Sequence, residues 1–405
     1  MKSNWPTNPS SRTQSVHYGA RKLGEIAEVG AGNSAPQDKK YFSNGTIPFF
    51  RTADVGRVHF STDLSNTGDS LNKKAVEELG LKIWPKNTIL FPKSGASTFL
   101  NHRVVIGTEG VVASHLATIF TEDDILQRYI FYFLTTIDAK TLTADQGYPS
   151  LRISDLQKIK IPLPPLETQK QIVERLDKIV EAQKLNDELI QKTDELFQSL
   201  LHKELNPAGK DWEIKTLGDL FEITSSKRVF ESEWTKQGIP FYRAREIVNL
   251  ANNQQFRSPL FISEKMYEEY RQKYGAPKEG DILVTGVGTI GISYIVKKTD
   301  KFYFKDGNII WLKQIPSADA ISQFVEYFFQ TPFFKHQIKA TSAGATVLTY
   351  TIQNAKKTKI LLPPLGAQKQ IVAKLSAAQD YKTQLLAQKS KLKELFNSVL
   401  SKSFK

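Results

Sequence analysis

The absences in this chain exclude several classes of protein. None of its 405 residues is cysteine, which rules out disulfide bonds and thiolate zinc sites. Such a composition is typical of the reducing cytoplasm, where we expect the protein to be located. The first residues, MKSNWPTNPSSRTQ, are polar, and no stretch approaches the roughly 20 apolar residues of a membrane span. We therefore expect neither a secretory signal nor a membrane segment.

Recognisable catalytic motifs are also lacking. There is no P-loop, no nucleophile elbow, and no Asn-Pro-Pro or Asp-Pro-Pro tetrapeptide of the kind that amino-methyltransferases use on a flipped base. Gly286, Gly288 and Gly291 match G-x-G-x-x-G, but the strand-like ISYIVKK follows where a dinucleotide site needs a helix, so we expect a tight hairpin. A dispersed Ser-His-Asp site stays open. The histidines lack metal-ligand spacing: His17, His59, His102, His115, His202 and His336.

Basic residues are in excess, with 55 Lys and Arg against 42 Asp and Glu, for a formal charge of +13. Basic surface gains affinity for polyanions by neutralising phosphates and releasing counterions, so this balance favours a polyanionic partner. Charge alone does not separate nucleic acid from an acidic membrane or protein, and a basic protein that binds no polyanion remains an alternative.

The chain is a tandem duplication. PPLETQKQIV from Pro164 returns as PPLGAQKQIV from Pro363, and ELFQSLL from Glu195 returns as ELFNSVL from Glu394, both at an offset of 199 residues. Weaker matches precede them, such as IPFFRTADV and IPFYRAREI, at wandering offsets. A period this long indicates two homologous halves, each a variable globular region followed by a segment of fixed length.

The fixed segments are predicted to be helices of about 168–205 and 367–404. The Pro pairs exclude helix before them, and Thr168 with Gln171 forms a capping-box pattern. Apolar residues then recur at steps of four and three, as in a coiled-coil seam that also includes the polar Asn186. The predicted seam is Ile172, Leu176, Ile179, Asn186, Ile190, Phe197 and Leu200 with Ile371, Leu375, Ala378, Leu385, Leu392, Phe396 and Val399.

Opposite charge predicts that the two helices pair with each other. Nine acids and six bases lie between Leu166 and Glu204, whereas two acids and eight lysines lie between Leu365 and Lys405. Self-pairing of either is disfavoured, so we expect one antiparallel coiled coil. The alternative is two surface helices, each packed on its own domain.

Between the helices, short β-branched and aromatic runs alternate with amphipathic stretches, which predicts mixed α/β domains. The resulting fold class is α+β, with two repeated α/β domains separated by two long helices in an antiparallel coiled coil. The predicted division is a tail at 1–19, a first domain at 20–158, a central region at 159–207, a second domain at 208–357 and a C-terminal region at 358–405.

This organisation closely resembles the DNA-specificity subunit of Type I restriction–modification enzymes. The motifs that carry the resemblance are IPLPPLETQKQI and ILLPPLGAQKQI with their helices, the two IPF(F/Y)R segments, and GYPSLRISDLQKIKIPLPPL. The resemblance implies that each globular domain is a target recognition domain for one half of a bipartite, asymmetric DNA site. It implies that the coiled coil sets the spacing of the half-sites.

The resemblance also implies the partners of the chain. They are double-stranded DNA, two modification subunits that use S-adenosylmethionine, and two restriction subunits that can join with Mg and ATP. No membrane partner, cofactor, metal or catalytic residue is expected on this chain. The alternatives are the specificity subunit of a related system that cuts on both sides of its site, a coiled-coil scaffold that binds no DNA, and a fused enzyme. The target sequence and spacer length are not derivable from the sequence.

Polar residues in loops of the two domains are the candidate DNA contacts, because Arg, Asn, Lys and hydroxyl groups recognise base edges and phosphates. Arg51 and Arg243 occupy equivalent places after IPF(F/Y), which suggests a shared task such as phosphate anchoring. The predicted DNA-binding residues are Arg51, Thr52, Lys93, Ser94, Asn101, His102 and Arg103 in the first domain and Arg243, Arg245, Thr285, Thr289, Lys305 and Asn308 in the second.

Overall fold

The computed structural model describes residues 18–143, 149–206, 209–258, 260–316, 319–341 and 348–404. The chain forms two compact units, one comprising the residues up to Asn186 with Gln388–Lys405, the other comprising Asp187–Ala387. Residues 1–17 of the predicted tail lie outside the described residues. Within the described ranges, no helix is long and apolar enough to cross a membrane.

In the described residues of the first half, eleven strands and five α-helices precede the long helix. The strands are β1 (Ala20–Lys22), β2 (Glu28–Ala31), β3 (Ile47–Phe50), β4 (Phe60–Leu64), β5 (Asp69–Leu71), β6 (Ile83–Trp84), β7 (Ile89–Pro92), β8 (Arg103–Ile106), β9 (Gly110–Val112), β10 (Leu116–Phe120) and β11 (Lys160–Pro162). The helices are α1 (Leu23–Ile26), α2 (Thr52–Val58), α3 (Lys73–Leu79), α4 (Asp124–Thr135), α5 (Ile153–Gln157) and the long α6 (Leu166–Leu205).

The second half has a similar order of elements, with fewer strands and one more helix among its described residues. Its strands are β12 (Glu213–Thr216), β13 (Phe221–Thr224), β14 (Ile239–Tyr242), β15 (Phe261–Ile262), β16 (Ile282–Thr285), β17 (Ser293–Ile295), β18 (Tyr303–Phe304), β19 (Ile309–Gln314) and β20 (Lys359–Leu362). Its helices are α7 (Leu217–Leu220), α8 (Ala244–Ala251), α9 (Glu264–Tyr274), α10 (Ser322–Phe328), α11 (Pro332–Thr341), α12 (Ile352–Lys357) and the long α13 (Leu365–Ser403).

The sheets confirm that the two halves are structural repeats. The larger sheet has the order β2-β10-β7-β8-β4 in the first repeat and β13-β19-β16-β17 in the second. In the smaller sheets, β3 and β14 each pair with one antiparallel and one parallel neighbour. The pairs β1-β11 and β12-β20 then join the start of each repeat to the strand before its long helix. Both repeats therefore have the predicted mixed α/β architecture, although the first has additional edge strands.

Both long helices exist and begin two residues earlier than predicted. The capping box expected at Thr168 is wrong, because the carbonyl of Pro165 accepts hydrogen bonds from the amides of Thr168 and Gln169 and already starts the helix. The side chain of Gln169 donates back to the carbonyl of Pro164 at 2.8 Å. A glutamine side chain, and not the threonine, therefore ties the first turn of α6 to the proline pair.

The two long helices run antiparallel, as their contacts show. In the second unit, Lys382 pairs with Asp194 at 2.6 Å and Lys374 with Glu204 at 2.8 Å, so that residue numbers rise in one helix as they fall in the other. In the first unit, the Gln183 side chain donates to the carbonyl of Leu392. The acidic and basic helices therefore pair as their charges predict.

The domain core of each unit contacts both long helices. In the first unit, Val173 and Leu176 of α6 are buried in the domain core, and the partly buried Phe396 of α13 packs against it, together with Phe404 just after that helix. The second unit reverses these roles, because Ile371, Leu375 and Ala378 of α13 join Phe197, Leu201 and Leu205 of α6. The helices are thus part of the domain cores as well as partners of each other.

Candidate nucleic-acid interface

In the first repeat, Lys93 and Ser94 follow strand β7 and lie beside the loop that precedes β10. The backbone amide of Lys93 donates to the carbonyl of His115 at 3.0 Å, and the Ser94 hydroxyl lies 2.7 Å from Nδ1 of His115. Ser94 also forms an isolated antiparallel β-bridge with Ser150, which lies in the segment before α5. His115 and Ser150 are exposed. The loops after β7, before β10 and before α5 therefore meet at one surface.

Sequence reasoning missed His115 because it considered histidines as metal ligands and not as partners of a neighbouring hydroxyl. The usable signal was the segment ASHL just before a buried strand, since a polar residue at a strand end lies next to the ends of the adjacent strands. Among the described residues, no group of three or more acidic or histidine side chains could hold a metal ion.

The three neighbouring candidates 101–103 differ in their surroundings. Asn101 adopts a left-handed conformation (φ 55°), donates to Asp138 at 3.0 Å and accepts from the amide of Ala139 at 2.8 Å. The hydrogen bond from Asn101 lowers the pKa of Asp138. Asn101 therefore joins two segments of the domain, although it is exposed.

His102 is half-buried against His59, with 3.0 Å between Nε2 of His102 and Nδ1 of His59. Burial, together with His59, lowers the pKa of His102, which favours the neutral ring. Arg103 is only 1% exposed, and its guanidinium stacks 3.3 Å from the centre of the Phe91 ring. Burial lowers the pKa of Arg103 to about 9. Because it lies in the interior, we remove Arg103 from the candidate DNA contacts.

Arg51 and Arg243 do occupy equivalent positions, immediately before α2 and α8. Arg51 pairs with Asp69 at 2.7 Å and lies over the ring of Phe49. Arg243 donates through two nitrogens to Glu246, which is 1% exposed. Burial alone would raise the pKa of Glu246, but the hydrogen bonds from Arg243 hold that pKa below its ordinary value.

The surroundings of these arginines indicate a structural task. The backbone amides of Arg51 and Arg243 donate to Asp54 and Glu246, three residues further on, as in a capping box. Thr52 is the half-buried first residue of α2. Arg245 differs, because its side chain is 74% exposed with a long 3.4 Å contact to Glu246. Of Arg51, Arg243 and Arg245, Arg245 is therefore the most accessible to a ligand.

In the second repeat, the Gly-rich segment forms the predicted hairpin between β16 and β17. Thr285 is 1% exposed, and its hydroxyl donates to the carbonyl of Thr289, so Thr285 also leaves the candidate set. Thr289 is exposed at the tip. Gly291 has φ 82°, and a Cβ there would lie 2.6 Å from Phe334, so both conformation and space require glycine. The glycines serve the turn rather than a dinucleotide.

Asn308 and Lys305 lie in the loop before β19. The carbonyl of Asn308 accepts from the amide of Gly286 at 2.9 Å, and the amide of Lys305 donates to Tyr242 at 2.8 Å. A cavity of about 500 Å³ opens beside this loop. Its lining includes Val287, Gly307 and Thr349, so it lies where the loops after β16 and before β19 and α12 meet. The structure thus brings the candidates of the Gly-rich turn close to Asn308.

Comparison with known proteins identifies a family. The family described as "Type I restriction modification DNA specificity domain" matches residues 16–193 and again 209–394. A putative type I restriction enzyme specificity subunit of Haemophilus influenzae is 28% identical over 303 residues, which is 70% of this chain and 73% of that protein. The MjaIX specificity subunit of Methanocaldococcus jannaschii is 28% identical over 287 residues, 63% of each chain.

A solved structure shows the same fold. The type I restriction–modification S subunit from M. genitalium superposes with a TM-score of 0.59 at 15% identity, covering 98% of both chains. A second structure, from work on complex assembly and conformational transition of the type I R-M system, gives a TM-score of 0.59 at 16% identity and covers 98% of this chain and 99% of that one.

Proposed function

This chain belongs to the Type I restriction–modification DNA-specificity family, and from that premise we propose that each recognition domain reads one half of a bipartite, asymmetric DNA site. The observation that carries the proposal is that the two family matches coincide with two repeats of one sheet topology. A subunit with two such domains can contact two separate half-sites. Because the side chains in corresponding loops differ, the half-sites would differ as well.

The paired helices would set the spacing of the half-sites. The support is that each repeat ends in a long helix, and that both helices pack on each domain core, with buried residues of both in the second unit and partly buried residues of α13 in the first. A helix of 40 residues spans about 60 Å at a rise of roughly 1.5 Å per residue. This length is ample for half-sites that lie roughly 34–36 Å apart, one turn of the duplex.

Two modification subunits would supply methylation, and restriction subunits would supply ATP-dependent cleavage. S-adenosylmethionine, Mg and ATP would bind on those partners, and this chain would contribute recognition without catalysis. Leu189 and Leu196, one heptad apart on α6, are 42% and 53% exposed and so offer an apolar stripe to a partner helix. Docking of a modification subunit there would cover them.

Selection from a randomised duplex library tests the proposal. The chain, copurified with its modification subunits, should enrich two short motifs separated by a spacer of fixed length, and its affinity should fall steeply between about 50 and 200 mM salt. Enrichment of no motif together with salt-insensitive binding would instead support the scaffold alternative. Methylation or cleavage of DNA by the chain alone would support the fused-enzyme alternative.

A further inference from the structure

The two repeats share a constellation of three loops that is defined by backbone hydrogen bonds. In the first repeat, the residue after β7 (Lys93) donates to His115 and accepts from the amide of Leu151 at 2.7 Å. In the second, the residue after β16 (Gly286) donates to Asn308 and accepts from the amide of Tyr350 at 2.8 Å. The two repeats therefore join these loops through equivalent main-chain hydrogen bonds.

The same bonds identify equivalent residues in the two repeats. His115 and Asn308 are equivalent as the acceptors of these amides. The next residue of each first loop makes an isolated bridge, Ser94 to Ser150 in one repeat and Val287 to Thr349 in the other. Three pairs of side chains thus occupy equivalent places: Ser94 and Val287, His115 and Asn308, and Ser150 and Thr349.

The chemistry of these pairs differs although their backbone is shared. In the first repeat, Ser94 and His115 form a hydrogen-bonded pair beside exposed Ser150. In the second, Val287 is 36% exposed and borders the cavity of about 500 Å³ that Thr349 also lines. One repeat therefore presents a donor-rich surface and the other an apolar recess with a hydroxyl. Such a difference is what two domains that read unlike base sequences require.

Resting on the proposed function, we infer that these three loops are the base-reading surface of each repeat and that the three unlike pairs set the two half-site preferences. In the first repeat, the tautomer of His115 that carries its proton on Nε2 accepts at Nδ1 from the Ser94 hydroxyl, and its Nε2–H can donate to an acceptor on a base edge, such as purine N7. In the second, Val287 makes apolar contact with a thymine methyl group.

Exchanging side chains between equivalent positions tests this inference. The two variants are Ser94→Val with His115→Asn, and Val287→Ser with Asn308→His, each assayed as the full chain with its modification subunits. Each exchange should alter the preferred base at one or two positions of a single half-site. Affinity for the original site should fall about 10- to 100-fold, the range for one or two lost base contacts. Preference in the other half-site should not change.

The non-specific DNA affinity of each variant and its salt dependence should match those of the unexchanged chain. This match also shows that each variant is folded. Glu77→Gln, an exposed change on α3 of the first repeat, is the control and should leave the selected motif unchanged. Single variants Ser94→Ala and His115→Ala should each relax the same half-site if a double exchange does not fold.

Three results are distinguishable. If the unexchanged chain selects a bipartite site and the exchanged chains select the same site with the same affinity, the inference is overturned and the proposed function stands. If an exchange weakens binding to every sequence equally, the loops contact phosphate and the inference is also overturned. If the unexchanged chain selects no bipartite site, the proposed function fails and the inference fails with it.

Discussion

Asp177 of α6 connects the long helix to the first recognition domain, and its removal should loosen that attachment. Oδ1 of Asp177 accepts hydrogen bonds from Arg128 and from the hydroxyl of Tyr132, both on α4. Burial, with the bond to Asp177, raises the pKa of Tyr132, so the tyrosine remains a donor at neutral pH. The second repeat makes the same connection without charge.

In that repeat, Gln323 and Tyr327 of α10 contact the hydroxyl of Ser376 on α13 at 3.1 and 3.0 Å. Ser376 stands 199 residues after Asp177, so the two sites correspond. A hydrogen bond to a charged group contributes about 1.5–3 kcal/mol. The side chains of Arg128 and Asp177 are 25% and 37% exposed, so solvent screening reduces the contribution of the ion pair between them. Asp177→Ser should therefore cost about 2–3 kcal/mol of local stability, and Arg128→Gln about 1 kcal/mol.

The double variant Arg128→Gln with Asp177→Ser recreates the neutral connection and should cost about 1–2 kcal/mol less than the sum of the single variants. Native-state hydrogen exchange read by mass spectrometry on peptides from α4 and α6 measures these local opening free energies, which avoids assuming two-state unfolding of a two-unit chain. Glu181→Gln, exposed on α6, is the control. If the effects of the two single variants sum to that of the double variant within about 0.5 kcal/mol, the proposed connection is refuted.

Three further substitutions probe burial and docking. Desolvation raises the pKa of the half-buried Glu326 to about 7. Below pH 4.5 the group is neutral in the folded and unfolded states and costs nothing, whereas between pH 4.5 and 7 the unfolded state loses the proton first, so the folded state is progressively destabilised; Glu326→Gln should therefore stabilise the protein by up to about 3 kcal/mol at pH 8 and not at pH 4. Calorimetry showing equal effects at both values would contradict this. The side chain of the fully buried Gln368 accepts from the amide of Ile321 and donates to the carbonyls of Asp319 and Pro363. Gln368→Ala should therefore lower the local opening free energy by about 2–4 kcal/mol, and a loss below about 0.5 kcal/mol in hydrogen exchange of α13 peptides would count against it. Leu189→Glu should reduce copurification of modification subunits about tenfold or more, because it places a charge in an apolar contact. Gln198→Glu, an exposed change on the opposite face of α6, should not, and equal recovery with both would place docking elsewhere.

Features with a local or periodic signal could be predicted from the sequence. The repeat, the two long helices and the Gly-rich hairpin follow from offsets, heptad steps and glycine positions, and the structure confirms them. The pairing of α6 with α13 followed from their opposite charge. These features depend on residues close in sequence or on sums over a whole helix, so tertiary packing does not override them.

The surroundings of single polar residues could not be predicted in the same way. Arg103 looks like a loop residue but begins β8, and stacking on Phe91 keeps its guanidinium inside. Arg243 lies before a helix whose buried Glu246 engages it. His115 and Ser94 are 21 residues apart in sequence and meet because strands β7 and β10 pair with each other. Each outcome depends on which distant segments meet, and one sequence does not specify that.

Lengthening the paired helices tests the central claim most directly. Three heptads inserted into α6 after Asn186 and into α13 after Ala387 preserve the seam and add about 31 Å, the length of roughly nine base pairs. Motif selection with the lengthened chain and its modification subunits should return both original half-sites with a spacer longer by about nine base pairs. Both half-sites returned with an unchanged spacer, from a folded variant, would contradict the account.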